Sequence, residues 1–220
     1  MFTNFNIIST VGKVLYPSLL WNFDIKEKCI YLTFDDGPIP EITPWVLKQL
    51  KDYDAKASFF CIGDNVTKHP EIFKMILNEG HTIGNHSHNH LNGWKTDRDA
   101  YISNVLKAET AISEYKVIEN DLHQLQPAKK IYRPPYGRIT PSQIRELERK
   151  DYKIVMWDVL SRDYDSKRPA EACIRSVKKY TRPGSIIVFH DSIKAFPNLR
   201  IILPEMLNFF AAKGFEFRSL

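Results

Sequence analysis

Short runs rich in β-branched and aromatic residues alternate with helix-like runs along nearly the whole chain. This alternation predicts an α/β domain with a parallel sheet, either closed as a barrel or open and doubly wound. In both architectures, functional residues gather at the carboxyl ends of the strands. The predicted strands are 29–34, 57–62, 81–84, 130–132, 153–159, 185–190 and 215–218, and the predicted helices are 41–54, 65–79, 97–115, 141–150, 170–180 and 199–213.

The composition indicates an ordinary globular protein. Its 220 residues are 43% hydrophobic and 26% charged, which suits one compact domain. The net charge of +5 comes from scattered Lys and Arg residues, so nucleic acid is not an expected partner, although the charge would attract an acidic glycan. The cysteines form no Cys-x-x-Cys pair and are predicted to be small core residues: Cys29, Cys61 and Cys173.

The N-terminal 23 residues include apolar side chains but lack the pattern of a signal peptide. They have no basic leading segment, Lys13 interrupts the apolar run, and no small-residue cleavage site follows it. No segment is long enough and apolar enough to span a bilayer. The default expectation is a cytoplasmic protein, with a peripheral membrane position or export by another route as alternatives.

Ionisable residues follow the predicted strands at the points where those strands end. Because the carboxyl ends of parallel strands meet on one face of the sheet, these side chains are expected to form one site assembled from separate loops. They are Asp35 and Asp36 after the first strand, His86, His88 and His90 after the third, and then Arg133, Asp163, His190 and Asp191 after later strands.

Three histidines within five residues are the strongest local sign of a metal site. Four-residue spacing would place His86 and His90 on one face of a helical turn, where both imidazoles reach one ion. Two histidines and one carboxylate, with positions left open for water, form the ligand set of a catalytic metal centre. Non-haem iron oxygenases use the same set, so the ligands alone do not fix the reaction.

Five segments in the same order resemble the motifs of the polysaccharide deacetylases, the NodB-homology group of carbohydrate esterase family 4. Thr-Phe-Asp-Asp-Gly-Pro at 33–38 matches the first motif, and Asn-His-Ser-His-Asn-His at 85–90 contains the second, His-x-x-x-His. Arg-Pro-Pro-Tyr-Gly at 133–137 matches the third. Trp157-Asp158 together with Asp163-Tyr164 resembles the fourth motif, and Ile-Val-Phe-His-Asp at 187–191 resembles the fifth.

The resemblance implies a single-domain, distorted (β/α) barrel of seven or eight strands. The deacetylase domain would span residues 29–220, with residues 1–28 as an N-terminal extension packed on it. The implied activity is hydrolysis of acetyl groups from N-acetylated or O-acetylated sugars of a polysaccharide or oligosaccharide. The implied cofactor is a divalent metal, zinc above all, with cobalt or a similar ion as the alternative, held by Asp36, His86 and His90.

The resemblance also implies catalytic roles. Asp35 would be the base that takes a proton from water, with Arg133 beside it. His190 would be the acid that protonates the leaving nitrogen, and Asp163 would favour its imidazolium form. The backbone N–H of Tyr136 would stabilise the oxyanion, and the remaining substrate-binding residues would be Pro135, Trp157, Leu160 and Tyr164.

Two departures from the family pattern bear on substrate fit. Tyr164 stands where the family has Trp, which changes one wall of the substrate groove. His88 stands where the family often has an aromatic residue, and it is interpreted as a lining residue and not as a ligand. Turn and surface roles are expected for Arg138, Asp158, Asp165 and Asp191, and no chemical role for His69, His81 and His123.

Three other functions remain as alternatives. Some relatives with this barrel hydrolyse amides or ureides without metal, but they tend to lose the paired aspartates or the histidines, which this chain keeps. A catalytically inactive carbohydrate-binding relative would be expected to lose the base or the acid first. An iron oxygenase commonly uses an all-β jelly roll, which the strand–helix alternation disfavours.

Overall fold

The computed structural model describes residues 11–119 and 130–220, and within them eight strands form one sheet. Each recorded strand pair is parallel, which confirms the predicted sheet. The strands are β1 (Cys29–Asp35), β2 (Ser58–Cys61), β3 (Thr82–Asn85), β4 (Lys130–Tyr132), β5 (Tyr152–Ile154), β6 (Val159–Leu160), β7 (Ile186–His190) and β8 (Glu216–Arg218).

Helices connect the strands, as the alternating pattern predicts. The helix that begins at Pro141 illustrates how the sequence sets a helix start, because the Thr140 hydroxyl and the Gln143 side chain form a capping box there. The helices are α1 (Ile42–Lys51), α2 (Gly63–Lys68), α3 (Pro70–Asn78), α4 (Arg98–Glu119), α5 (Pro141–Arg149), α6 (Ala170–Tyr180) and α7 (Phe196–Ala212), with short 3₁₀ turns at Gly93–Lys95 and Pro135–Gly137.

The sheet has the order β5-β4-β3-β2-β1-β7-β6, with β8 paired to the amino-terminal half of β1. Strand β1 is therefore central, and all its residues except Tyr31 are buried. Its neighbours hold the largest hydrophobic cluster, which includes Phe34, Phe59 and Phe189 packed ring to ring. This core fixes the ends of β1, β2 and β7 beside one another.

A segment before β1 lies between the end of β5, which is one edge strand of the sheet, and the start of β7. Leu20 forms a parallel bridge with Val155, and Asn22 forms an antiparallel bridge with Ser185. The backbone N–H of Leu20 donates to the carbonyl of Ile154 at 2.9 Å. Residues 19–23 thus connect the β5 side of the sheet to the β7 side, and the sheet curves into a half-barrel. The domain boundary predicted at residue 29 stays a prediction.

Two predicted elements are divided in the structure. The helix predicted at 65–79 is α2 and α3, separated at His69 because Pro70 starts a new helix and lacks the N–H that would continue the first. The strand predicted at 153–159 is β5 and β6, which lie at opposite ends of the sheet order. In the described residues, no helix has the length and apolar character needed to cross a membrane.

Candidate active site

The site begins at the carboxyl end of β1, where two consecutive aspartates face the same space. Asp35 is the last residue of the strand, and Asp36 has a left-handed backbone with φ of 85°. The side-chain amide of Asn65 donates to the Asp36 carbonyl at 2.7 Å and holds this turn. Consecutive side chains of a regular strand point to opposite faces. Because the chain already turns at Asp36, both carboxylates can point into the site.

Asp36 lies against two histidines from the loop after β3. Its Oδ1 is 3.3 Å from Nε2 of His90 and 3.7 Å from Nε2 of His86. Among the described residues, these three side chains form a candidate metal-binding group, with one donor atom from each residue all within 4.8 Å of one another. Donors bound to one tetrahedral ion at about 2.0–2.2 Å would be roughly 3.4 Å apart, close to the two measured separations.

Both imidazoles make their other contacts through Nδ1 and direct Nε2 at Asp36. Nδ1 of His86 is 2.8 Å from the carbonyl oxygen of Arg133, which can only accept, so Nδ1 carries the proton. Nδ1 of His90 contacts the phenol oxygen of Tyr136 at 3.1 Å. Burial lowers the pKa of His86 to about 4, so this imidazole is neutral at neutral pH, the form that binds metals.

Oδ1 of Asp36 is buried and forms no satisfactory hydrogen bond in the described residues. A neutral histidine that has its proton on Nδ1 has only a lone pair at Nε2, so it cannot satisfy a carboxylate oxygen. A buried carboxylate oxygen that faces the Nε2 lone pair of His86 is costly unless a cation lies between them. The donor set of Asp36, His86 and His90 therefore fits a divalent metal.

The predicted reason for the convergence of the two histidines is wrong. Residues 86–90 form no helical turn, and Ser87 and His90 both have left-handed backbones with φ of 63° and 55°. Because these two reversals turn the loop back on itself, the imidazoles meet with ring centres 5.1 Å apart. His88 instead packs beside Gly63, away from the metal-binding group.

Asp35 forms a buried ion pair with Arg133. The guanidinium donates from Nη1 to Asp35 Oδ1 at 2.7 Å and to the Thr33 hydroxyl at 2.7 Å, and from Nη2 to the Met156 carbonyl at 3.1 Å. Burial lowers the pKa of Arg133, while the Asp35 charge opposes that shift, and an arginine stays protonated at any physiological pH. The Asp35 carboxylate is thus held in one orientation and retains Oδ2 for other contacts.

His190 ends β7 directly beside Asp35 in the sheet register. Its Nδ1 is 2.7 Å from Oδ1 of Asp163, and its backbone N–H donates to Oδ2 of the same carboxylate at 2.8 Å. Burial lowers the pKa of His190, but the charge and hydrogen bond of Asp163, together with the charges of Asp36 and Asp35, outweigh it and raise the pKa to about 9. His190 is therefore a cation at neutral pH, with Nε2–H as the proton that it can donate.

The predicted groove residues lie around these groups. The exposed Tyr136 has a left-handed backbone, and its ring packs edge-on against His90, while Pro135 beside it is buried. Tyr164 packs edge-on against His190, with ring centres 5.0 Å apart. The half-buried Trp157 lies beside the Arg133 guanidinium, and half-buried Leu160 belongs to β6.

Several residues expected on turns or the surface are buried structural groups. Asp191 accepts from the Gly37 backbone N–H at 3.0 Å and from the Thr43 hydroxyl, and so fixes the turn after the two site aspartates. Asp158 accepts from the Ile186 backbone N–H at 2.9 Å. His81 is also buried, against Phe59, whereas His123 lies outside the described residues. The position of Asp191 directly after a strand-end histidine could have revealed its role.

Comparison with known proteins agrees with the geometry. Residues 24–155, more than half of the chain, match the family model described as polysaccharide deacetylase. Two peptidoglycan-N-acetylglucosamine deacetylases of Bacillus cereus are similar. One is 38% identical over 163 residues, covering 74% of this chain and 56% of that protein. The other is 32% identical over 201 residues, covering 88% and 90% respectively.

A solved structure has the same fold over nearly the whole length. The crystal structure of the Bc1960 peptidoglycan N-acetylglucosamine deacetylase superposes with a TM-score of 0.84 at 31% identity, covering 97% of this chain and 95% of that one. The shared fold confirms the distorted α/β barrel that the motifs implied. The chain therefore belongs to the polysaccharide deacetylase family, a family of hydrolases, as those motifs predicted.

Proposed function

We propose that this domain is a metal-dependent deacetylase that hydrolyses the acetamide of N-acetylated sugars in a glycan. One observation carries the proposal: a candidate metal-binding group of Asp36, His86 and His90 lies at the same strand ends as a second carboxylate, Asp35, and a protonated histidine, His190. Amide hydrolysis needs a base for the attacking water and an acid for the leaving nitrogen. Asp35 and His190 are two such groups, and they end adjacent strands next to Asp36.

A divalent cation held by this group, zinc being the ion that such ligands favour, supplies Lewis acidity to the acetyl carbonyl and to the attacking water. Asp35 takes the proton of that water as its oxygen attacks the carbonyl carbon. Arg133 and Thr33 hold Asp35 in place, so the base does not have to reorient during the reaction. The backbone N–H of Tyr136 stabilises the oxyanion.

His190 completes the reaction by giving its Nε2 proton to the amide nitrogen as the carbon–nitrogen bond breaks. The products are acetate and a free amine on the sugar, and the proton taken by Asp35 balances the one that His190 gives. Asp163 keeps the imidazolium oriented through two hydrogen bonds, one to the ring and one to the backbone. Pro135, Trp157, Leu160 and Tyr164 form the walls that receive the sugar.

The test is an acetate-release assay on oligomers of N-acetylglucosamine and on acetylated xylan. It compares chelator-treated protein with the same protein reloaded with zinc. We expect little release after chelation and recovery with zinc on the N-acetylated oligomer. Full activity without metal would favour the metal-independent amide hydrolases, and binding without acetate release would favour an inactive carbohydrate-binding relative. Release from xylan alone would identify an O-acetyl esterase.

A further inference from the structure

The loop that carries the two histidine ligands has an unfavourable backbone. Ser87 and His90 both adopt left-handed conformations, with φ of 63° and 55°. Residues other than glycine disfavour this region, so such a backbone persists only where surrounding contacts fix it. The contacts of residues 87–90 therefore decide where the imidazoles of His86 and His90 lie.

The carbonyl groups of this loop are held by helix α2. The Gly63 backbone N–H donates to the Ser87 carbonyl at 3.0 Å. The Asp64 backbone N–H donates to the His88 carbonyl at 3.2 Å. Both donors lie in the first turn of α2, where a helix leaves its own N–H groups without a partner inside the helix. The start of α2 therefore fixes two points of the loop.

The N–H groups of the loop are held by two asparagine side chains. Oδ1 of the buried Asn85 accepts from the Ser87 backbone N–H at 2.8 Å. Oδ1 of Asn104, on α4, accepts from the backbone N–H groups of His88 and Asn89 at 2.9 Å and 3.0 Å. Nδ2 of Asn104 also donates to the side-chain oxygen of Asn89 at 2.8 Å. One carboxamide on a separate helix thus makes three hydrogen bonds to the loop.

Asn104 is half-buried and lies outside the five motif segments of the sequence. Its three bonds all end on residues between the ligands His86 and His90. A metal that binds to loosely held ligands must order them as it binds, which weakens its binding. Groups that orient the ligands without touching the metal therefore raise metal affinity.

We propose that Asn104 is a positioning residue of the metal centre. It fixes the backbone between the two histidine ligands and so directs both imidazoles towards Asp36. The inference rests on the proposed metal-dependent function and goes beyond it, because it assigns a determinant of metal affinity outside the ligand set. Asn104 acts only through the loop, so its loss should weaken metal binding without removing a ligand.

The test measures the zinc affinity of metal-depleted protein by competition with a chromophoric chelator. Asn104→Ala removes all three bonds and should not weaken α4, because Ala is a better helix former than Asn. Asn104→Asp is the conservative variant, because a carboxylate oxygen can still accept from the two backbone N–H groups. Ser103→Ala is the matched control, because Ser103 is the exposed neighbouring residue on the same helix.

We expect Asn104→Ala to raise the Kd for zinc about tenfold, the lower end of the effect of losing a group that orients metal ligands. Asn104→Asp should stay within about threefold of the unaltered protein, because it retains both bonds to the loop backbone. Ser103→Ala should change the Kd by less than about twofold, as is usual for a surface substitution. The Tm of each metal-depleted variant reports any loss of folding stability separately.

The outcomes separate this inference from the proposed function. Unchanged zinc affinity in Asn104→Ala, with or without a lower Tm, would overturn the positioning role and leave the proposed function intact. An equal loss of affinity in Asn104→Asp would do the same, because the backbone bonds would then not be the cause. A lack of zinc binding by the unaltered protein would overturn the proposed metal-dependent function and this inference with it. Loss of affinity in Asn104→Ala that Asn104→Asp largely restores supports both.

Discussion

His190 and Asp163 are joined twice, because one carboxylate oxygen lies 2.7 Å from the ring Nδ1 and the other accepts the backbone N–H of the same histidine. The second bond holds the carboxylate in place even when the ring moves. Burial lowers the pKa of His190, but the charge of Asp163 and the first bond, with the charges of Asp36 and Asp35, raise it to about 9. An acid with this pKa is in its donating form below about pH 9.

Asp163→Asn should therefore move the alkaline limb of the rate profile. Without the Asp163 charge, burial lowers the pKa of His190 and only the charges of Asp36 and Asp35 oppose it, so the limb should fall from near pH 9 towards the ordinary histidine value of 6.5. The limb moves to lower pH because a His190 with a lower pKa loses its donatable proton at lower pH. Rates measured from pH 5 to 10 check this prediction. Asp165→Asn is the control, because Asp165 accepts a hydrogen bond from the Lys167 backbone N–H and does not contact His190. An unchanged limb in Asp163→Asn would contradict the assignment of the acid.

Asp35→Asn and Asp36→Asn should fail in different ways. Asn retains the shape of Asp but loses its charge, so Asp36→Asn should lower the zinc content, and added zinc should partly restore activity. Asp35→Asn should retain its metal and lose about 10² to 10⁴ in rate, the usual contribution of a general base. Zinc content and turnover of both variants decide the matter, and the reverse pattern would exchange the two roles.

Arg133→Met should destabilise the domain through its partner. The substitution leaves the Asp35 carboxylate buried and unpaired, which costs about 3–5 kcal/mol. Adding Asp35→Asn removes that unpaired charge, so the double variant should be more stable than Arg133→Met alone. Urea unfolding of metal-depleted protein measures both, and Arg98→Met is the control because the pair of Arg98 with Asp99 is exposed. Equal stabilities of the single and double variants would show that the pair is not coupled.

Gly37→Ala should disturb the turn that carries the two site aspartates. A Cβ at Gly37 would lie 2.0 Å from Oδ2 of Asp191, so the carboxylate that accepts the Gly37 N–H would have to move. Overpacking of this kind costs about 1–3 kcal/mol, or roughly 2–12 °C in Tm for a domain of this size, and zinc binding should weaken as well. Gly214→Ala is the control, because a Cβ there meets nothing within 4 Å and only the backbone is strained. Unchanged Tm and zinc affinity would contradict this account of the turn.

The sequence predicted the parts of the fold that depend on local patterns. Strand β4 and helix α6 have the predicted bounds, and Pro141 starts α5 as expected. The 153–159 segment was predicted as one strand because its residues are continuously apolar. Its first half, β5, pairs with β4, and its second half, β6, pairs with β7. A local sequence pattern carries no information about which strand each half will pair with.

The candidate site was predictable in its membership and less so in its geometry. Strand ends indicated Asp35, Asp36, His86 and His190, and the structure brings them together, while their catalytic roles stay predictions. The left-handed backbone at His90 was not predictable, because its position depends on the packing of the loop. The burial of Asp191 was not predictable either, because it depends on contacts between distant segments. One of these is the hydrogen bond from the hydroxyl of Thr43, which lies 148 residues earlier in the chain.

The segment at residues 19–23 that connects the two sides of the sheet also sets the order in which the domain can be completed. Its partners are Val155 and Ser185, residues that come more than a hundred positions later in the chain. Contacts of such sequence separation are slow to form, because the closure entropy of the intervening chain must be overcome first. During synthesis, the amino-terminal segment is made early but cannot pair until β5 and the start of β7 have emerged. Closure of the half-barrel is therefore a late event in folding, and a nascent chain lacking those strands has an uncovered sheet edge.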